Sequence, residues 1–356
     1  MDPGFDPGAL LLAFASALIG AKVLGELARR VGQPPVLGEL LAGVLLGPSL
    51  LGLVPLTQGI FLLAEIGVVL LLFEVGLDTD LEELLRAGAR ATAVALVGMA
   101  LPFAGGYLVT RGLGYEPLTA VFVGAALTAT SIGITARMLS ELGLLKTLEG
   151  QIILGAAVLD DVLGLVVLAV VSRIAEKGEV GVVAAVRSAG LSIGFVLAAV
   201  AIGVPVGRRL FRVVGRTEVR GMLVASAVSF ALLVAWGARV AGSAPIVGAF
   251  AAGLALARTN RRHDIDAALR PIVDIFAPVF FVFVGARVDV RLLNPASAEN
   301  RPALWLGLAL TVVGVLGKFA AGFCAWGRVR RAFIGAGMVP RGEVGLIFAA
   351  VIVAFK

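Results

Sequence analysis

Long apolar runs separated by short polar gaps set the pattern of this chain. A helix that crosses a bilayer needs about 20 consecutive apolar residues. The runs at 9–28, 36–53, 60–77, 89–109, 118–139, 152–171, 182–206, 222–240, 244–257, 272–286, 303–326 and 332–355 fit that requirement, although the ninth and tenth are short. The pattern therefore predicts an all-α polytopic membrane protein of about 12 spans. Composition agrees: 59% of residues are hydrophobic, 15% are charged, and the mean hydropathy is +1.02. A soluble domain runs nearer 45–50% apolar and about 25% charged. Glycine, at 46 of 356 residues, is about twice its usual share, as expected where helix backbones pack closely in lipid.

The net charge of +6 does not point to nucleic acid, because the basic residues sit in the gaps between apolar runs rather than on one face or tail. Their distribution sets an orientation instead. With the N-terminus outside, inner loops hold 18 Lys and Arg and outer loops hold 9. Cys324 is the sole cysteine, which excludes a disulfide framework. The first residues carry Asp2 and Asp6 and no basic stretch, so no cleavable signal peptide is expected. No Gly-rich phosphate loop ending in Lys-Ser/Thr occurs, so no ATP site is expected.

The chain also repeats itself. Pro35-Val36-Leu37-Gly38 recurs as Pro245-Ile246-Val247-Gly248, and Ala42-Gly43 as Ala252-Gly253, both at an offset of 210 residues. That offset carries the second span onto the ninth, an odd number of spans later, so the second copy is expected upside down in the membrane. Inverted repeats of this kind mark transporters. The expected division is 1–171 for a first repeat of six helices, 172–207 for a linker helix, and 208–356 for the second repeat. The counterpart of Asp160-Asp161 falls near position 370, beyond Lys356, so a thirteenth helix is expected and is missing from this sequence.

Ionisable groups at membrane depth are costly and mark functional sites by default. The sharpest are Asp160 and Asp161, in the middle of the sixth span. Adjacent helical residues point about 100° apart. One carboxylate can therefore pair with a cation on a neighbouring helix while the other faces water. Lys318, mid-span in the eleventh, is the natural partner, since a lone buried lysine is costly. Two spans are interrupted at positions related by the repeat offset. Thr128-Ala129-Thr130-Ser131-Ile132-Gly133 breaks the fifth, and Pro340-Arg341-Gly342-Glu343 breaks the twelfth. Paired interruptions of this sort point to a binding site made of freed carbonyls and helix ends. For Arg341 and Glu343, offsetting the local dipoles is as good a reading as contacting an ion. Glu39, Glu65, Glu74 and Asp274 read as interfacial or packing residues, Arg137, Glu141 and Lys146 as a cytoplasmic loop, and His263 as a solvated loop residue.

Taken together, Gln33 through Gly43 (QPPVLGELLAG), the stretches 128–137 and 157–164, Gly317-Lys318, and Pro340-Arg341-Gly342-Glu343-Val344-Gly345-Leu346 resemble bacterial sodium/proton antiporters of the cation/proton antiporter superfamily, and most closely the NapA type. The resemblance implies thirteen helices, a core domain with two crossed broken helices, and a dimerisation domain that makes a homodimer. It implies that Asp161 binds the ion, that Asp160 is bridged to Lys318, and that the core moves like an elevator. The paired aspartates resemble the electrogenic branch. The expected activity is exchange of sodium or lithium for protons in a bacterial inner membrane without a bound cofactor. Ionised Asp161 would hold a dehydrated cation with help from Thr130, Ser131 and free carbonyls, since hard cations favour oxygen, and protonated Asp161 would release it. A potassium/proton antiporter or a sodium-coupled symporter remains open on the same residues, as does a channel. An intramembrane aspartyl protease fits poorly, because two neighbours on one helix splay apart rather than share a proton.

Overall fold

The computed structural model describes residues 7–79, 81–177, 221–241, 244–293 and 301–341, together with scattered residues between 190 and 219. Every regular element among them is helical. In chain order they are α1 (Pro7–Arg30), α2 (Pro35–Leu46), α3 (Gln58–Asp78), α4 (Leu81–Gly112), α5 (Pro117–Ala126), α6 (Ile132–Glu141), α7 (Leu148–Lys177), α8 (Met222–Val240), α9 (Pro245–Ala257), α10 (Arg262–Ala286), α11 (Arg301–Ala321) and α12 (Arg331–Gly337). Short 3-10 turns at Val290–Leu293 and Gly322–Cys324 flank α11.

Local signals explain where several elements begin and end. Proline opens α2, α5 and α9 at the first turn, where its missing N–H costs nothing. Gly114 and Gly143, with φ of 86° and 66°, follow α4 and α6 in the left-handed conformation that ends helices. The apolar run predicted at 36–53 is helical only to Leu46. Beyond it the chain turns at Gly47 and Gly52, whose φ is 66°.

Two groups of helices emerge from the packing. α1, α2, α3, α8, α9 and α10 form one slab, while α4, α5, α7, α11 and α12 form a second bundle. The slab is held by backbone-to-backbone contact. A side chain at Gly67 would meet the carbonyl oxygen of Phe276, one at Gly76 that of Phe250, and one at Gly253 that of Phe73. Gly43 and Gly285 bring α2 and α10 together in the same manner. Small residues make this approach available where lipid supplies no hydrophobic drive between helices. α6 touches α7 on one side and α2 and α3 on the other, which makes it a seam between slab and bundle.

Six helices among the described residues are long and apolar enough to cross a membrane, and three shorter apolar ones accompany them. The outward face is correspondingly greasy. Leu11, Ile19, Leu233, Trp236, Trp305 and Leu316 are each more than 60% exposed, a pattern that lipid accommodates and water does not. Half of the linker expected at 172–207 falls outside the described residues. α7 itself continues to Lys177, past the expected boundary at 171.

Candidate ion-binding site

The fifth apolar run is broken, as its interruption predicts, and the helix of the twelfth stops before its predicted interruption, beyond which the chain lies outside the described residues. α5 stops at Ala126 and α6 starts at Ile132, while α12 stops at Gly337. The breaks lie against one another. The backbone N–H of Ser131 donates to the carbonyl of Pro340 at 3.0 Å, and Thr135 donates its hydroxyl to the carbonyl of Gly337 at 3.2 Å. The guanidinium of Arg341 donates to the carbonyl of Ala129, and more weakly to that of Gly314 at 3.4 Å. The carbonyl-rich end of α12 therefore meets the N–H-rich start of α6. Opposed helix ends of this kind satisfy each other's orphan groups and partial charges.

Asp160 sits beside this crossing on α7 and is fully buried, as is Lys318 of α11. The two form an ion pair through Oδ2 of Asp160. Thr130 also donates to Oδ2, at 2.7 Å, and its hydroxyl lies 3.3 Å from the carbonyl of Met338. Thr130 has one proton to give, so the shorter, charge-assisted bond to the aspartate dominates. Oδ1 of Asp160 is buried without a hydrogen-bond partner among the described residues. Arg341 lies within electrostatic range of the same carboxylate. Gly98 of α4 makes room for the lysine: a side chain there would come within 3.5 Å of Nζ.

The structure brings Asp160, Lys318, Thr130 and Arg341 together and distributes the other predicted residues around them. Ser131 caps α6 by accepting from the N–H of Ile134. Thr128 turns its hydroxyl back to the carbonyl of Ala125 at 2.7 Å, closing the end of α5. Gly133 faces Phe280 and Val68, so it serves the packing of α6 against the slab. Pro340 contributes its carbonyl. Asp161 is the next residue of α7, and its side chain lies outside the described residues, as do Gly342 and Glu343.

One expectation is corrected. Arg137 and Glu141 are not loop residues. Both lie on α6, half-buried, with Nε of Arg137 2.7 Å from Oε1 of Glu141. Their charges interrupt the apolar pattern, but a helix that restarts inside the protein can bury them as a pair. For Glu39, burial decides between the two readings left open: with only 2% exposed, it packs inside the protein rather than lying at an interface. The signal available in the sequence was its place one turn into a helix that opens with proline, as the single charge of an otherwise apolar run.

Crossed helix breaks beside a buried carboxylate–ammonium pair, set in an all-helical apolar bundle, define a membrane transporter of the inverted-repeat class. The family model described as the transmembrane sodium/hydrogen exchanger matches residues 13–356. A high-affinity sodium/proton antiporter of Synechocystis, NhaS3, is 40% identical over 96% of this chain and 82% of its own length. The sodium/proton–potassium antiporter GerN of Bacillus cereus is 37% identical over 94% of this chain and 86% of its own. Among solved structures, the sodium/proton antiporter MjNhaP1 of Methanocaldococcus jannaschii shares the fold, with a TM-score of 0.66 at 18% identity, covering 97% of this chain and 86% of that one. The chain belongs to the sodium/hydrogen exchanger family.

Proposed function

We propose that this protein exchanges sodium, or lithium, for protons across the membrane by alternating access, and that Asp161 takes the ion. The observation that carries the assignment is the buried assembly at the crossing. Asp160 is held there by Lys318 and Thr130, so the carboxylate next to it on α7 is the one left to trade a proton for a cation. Thr130, Ser131 and the carbonyls at the breaks are the hard oxygen donors at hand.

Charge accounting gives the direction of coupling. With sodium bound, two ionised aspartates, the cation and Lys318 sum to zero. The two-proton exchange of the electrogenic branch requires Asp160 to give up its bridge and take the second proton, which leaves Lys318 and the site at +1. Each cycle then moves net charge, so the exchange is electrogenic. Coupling requires in addition that the empty site, with both aspartates ionised, does not cross. The bundle is proposed to move as an elevator against the slab, in a homodimer of a bacterial inner membrane, with the N-terminus outside. The test is reconstitution into vesicles with an imposed sodium gradient: Asp161→Asn is expected to abolish proton flux, and undiminished flux would end the proposal. Potassium is the second reading, because the name of GerN carries it. Replacing the sodium gradient by potassium in the same vesicles separates the two.

A further inference from the structure

Slab and bundle end differently on the side where α1, α3 and α11 finish. On the slab, the described arginines at that end are each bound by a carboxylate: Arg29 and Arg30 by Glu26, Arg258 by Glu82, Arg261 by Asp264, Arg262 by Asp78 and Arg270 by Asp266. The end of the bundle is not neutralised in this way. Arg90 of α4, Arg328 in the turn after α11 and Arg331 at the start of α12 have no ion-pair partner among the described residues. Arg90 and the turn meet. Gly327 makes the turn with a φ of 87°, and a side chain there would come within 3.4 Å of Nη2 of Arg90. Glu149 of α7 does not cancel this charge, because Arg330 already occupies it. Arg330 donates to Oε1 from its backbone N–H at 3.0 Å and from Nε at 3.3 Å, and it stacks over Phe333 at 4.8 Å. That grip fixes the turn to the bundle. Beside it, Phe323 and Trp326 are 53% and 49% exposed.

We propose that this end of the bundle, with Arg90, Arg328, Arg331 and Trp326, is a contact surface for the phosphate headgroups of anionic phospholipids. Guanidinium groups present forked donors that match phosphate oxygens. A basic residue close to an anionic leaflet gains about fivefold in binding. The aromatic rings choose the occupant. Tryptophan settles at headgroup depth, with its ring toward the hydrocarbon and its N–H toward water. Trp326 therefore sets the neighbouring arginines level with lipid phosphates. Phe323, one turn back along the chain, points the same way into the apolar layer. A soluble anion would use the arginines and leave both rings stranded, whereas a lipid satisfies charge and rings together. The slab has no counterpart, since its arginines are already bound. The inference needs only that the bundle crosses the bilayer, not which side faces in.

The test uses the fluorescence of Trp326 in the full chain. The protein has 3 tryptophans, so Trp236→Phe with Trp305→Phe leaves Trp326 as the only one. This parent is reconstituted into vesicles of equal parts phosphatidylcholine and phosphatidylglycerol, with bromines high on the acyl chains of one lipid or the other. Bromine quenches only tryptophans that its lipid touches. Brominated phosphatidylglycerol is expected to quench Trp326 more than brominated phosphatidylcholine does, corresponding to a local enrichment of the anionic lipid of about fivefold or more. The enrichment should shrink in 1 M salt, where charge is screened within about 3 Å. R90Q/R328Q/R331Q should abolish it, and R90K/R328K/R331K, which keeps the charge, should retain most of it. Equal quenching by the two lipids in the parent would overturn the proposal. So would an unchanged preference in the glutamine variant, or an equal loss in the glutamine and lysine variants.

Discussion

The slab and the crossing solve opposite problems. In the slab, α2, α3, α9 and α10 touch through glycines, and the contact between them is made by backbone rather than by charged side chains. At the crossing, the helices are broken, carbonyls are shared between chain segments far apart in sequence, and a buried carboxylate is balanced by a buried ammonium. Rigidity in the first comes from the absence of side chains. Rigidity in the second comes from charges and hydroxyls that could be rearranged by adding one proton or one cation. A transporter needs both: a fixed surface to move against and a site whose electrostatics can change.

The comparison can be broken from either side. The largest effect is expected at Lys318→Ala, which leaves Asp160 buried without its counter-ion. Removing one partner of such a pair costs about 3–5 kcal/mol, so thermal unfolding in detergent should shift sharply downward. Asp160→Asn combined with Lys318→Gln should recover most of that loss, because the cost lies in the orphaned charge. Next comes Thr130→Ala. It deletes a 2.7 Å bond to an ionised group, worth about 1.5–3 kcal/mol, and should weaken sodium affinity together with stability. Gly76→Ala is expected to cost about 1–3 kcal/mol by overpacking, because the added methyl group meets the backbone carbonyl of Phe250. It should lower stability while leaving sodium affinity in the surviving protein unchanged, the outcome that most clearly separates slab from site. The smallest effect is expected at Arg330→Gln. The guanidinium of Arg330 reaches Glu149 at 3.3 Å from a largely exposed position, and such pairs contribute about 0.5 kcal/mol.

Much of this was legible in the sequence. Hydrophobic run length located the spans, and the 210-residue repeat paired α2 with α9 and one helix break with the other. Asp160 and Lys318 stood out because charge at membrane depth is rare. What stayed hidden was contact across the repeat. Nothing local in the sequence tells that Thr130, rather than Thr128, reaches Asp160, or that Arg341 binds a carbonyl of the opposite break, since both depend on how two segments cross in space. Arg137 and Glu141 were misplaced for a related reason. An i, i+4 pair of charges reads as a solvated helix end unless the half-helix is known to restart inside the protein. Glu39 stayed undecided because an apolar run with a single glutamate fits an interfacial residue as well as a buried one.

The central claim is that sodium and protons compete for one carboxylate beside the crossing. The most direct measurement is proton release on adding sodium to the purified protein in weakly buffered detergent, followed as a function of pH. The account predicts protons displaced by sodium and an apparent affinity that weakens as pH falls, by about tenfold per unit where one proton competes. It also predicts no release from Asp161→Asn. Sodium binding that displaces no protons, or release that persists in Asp161→Asn, would contradict it.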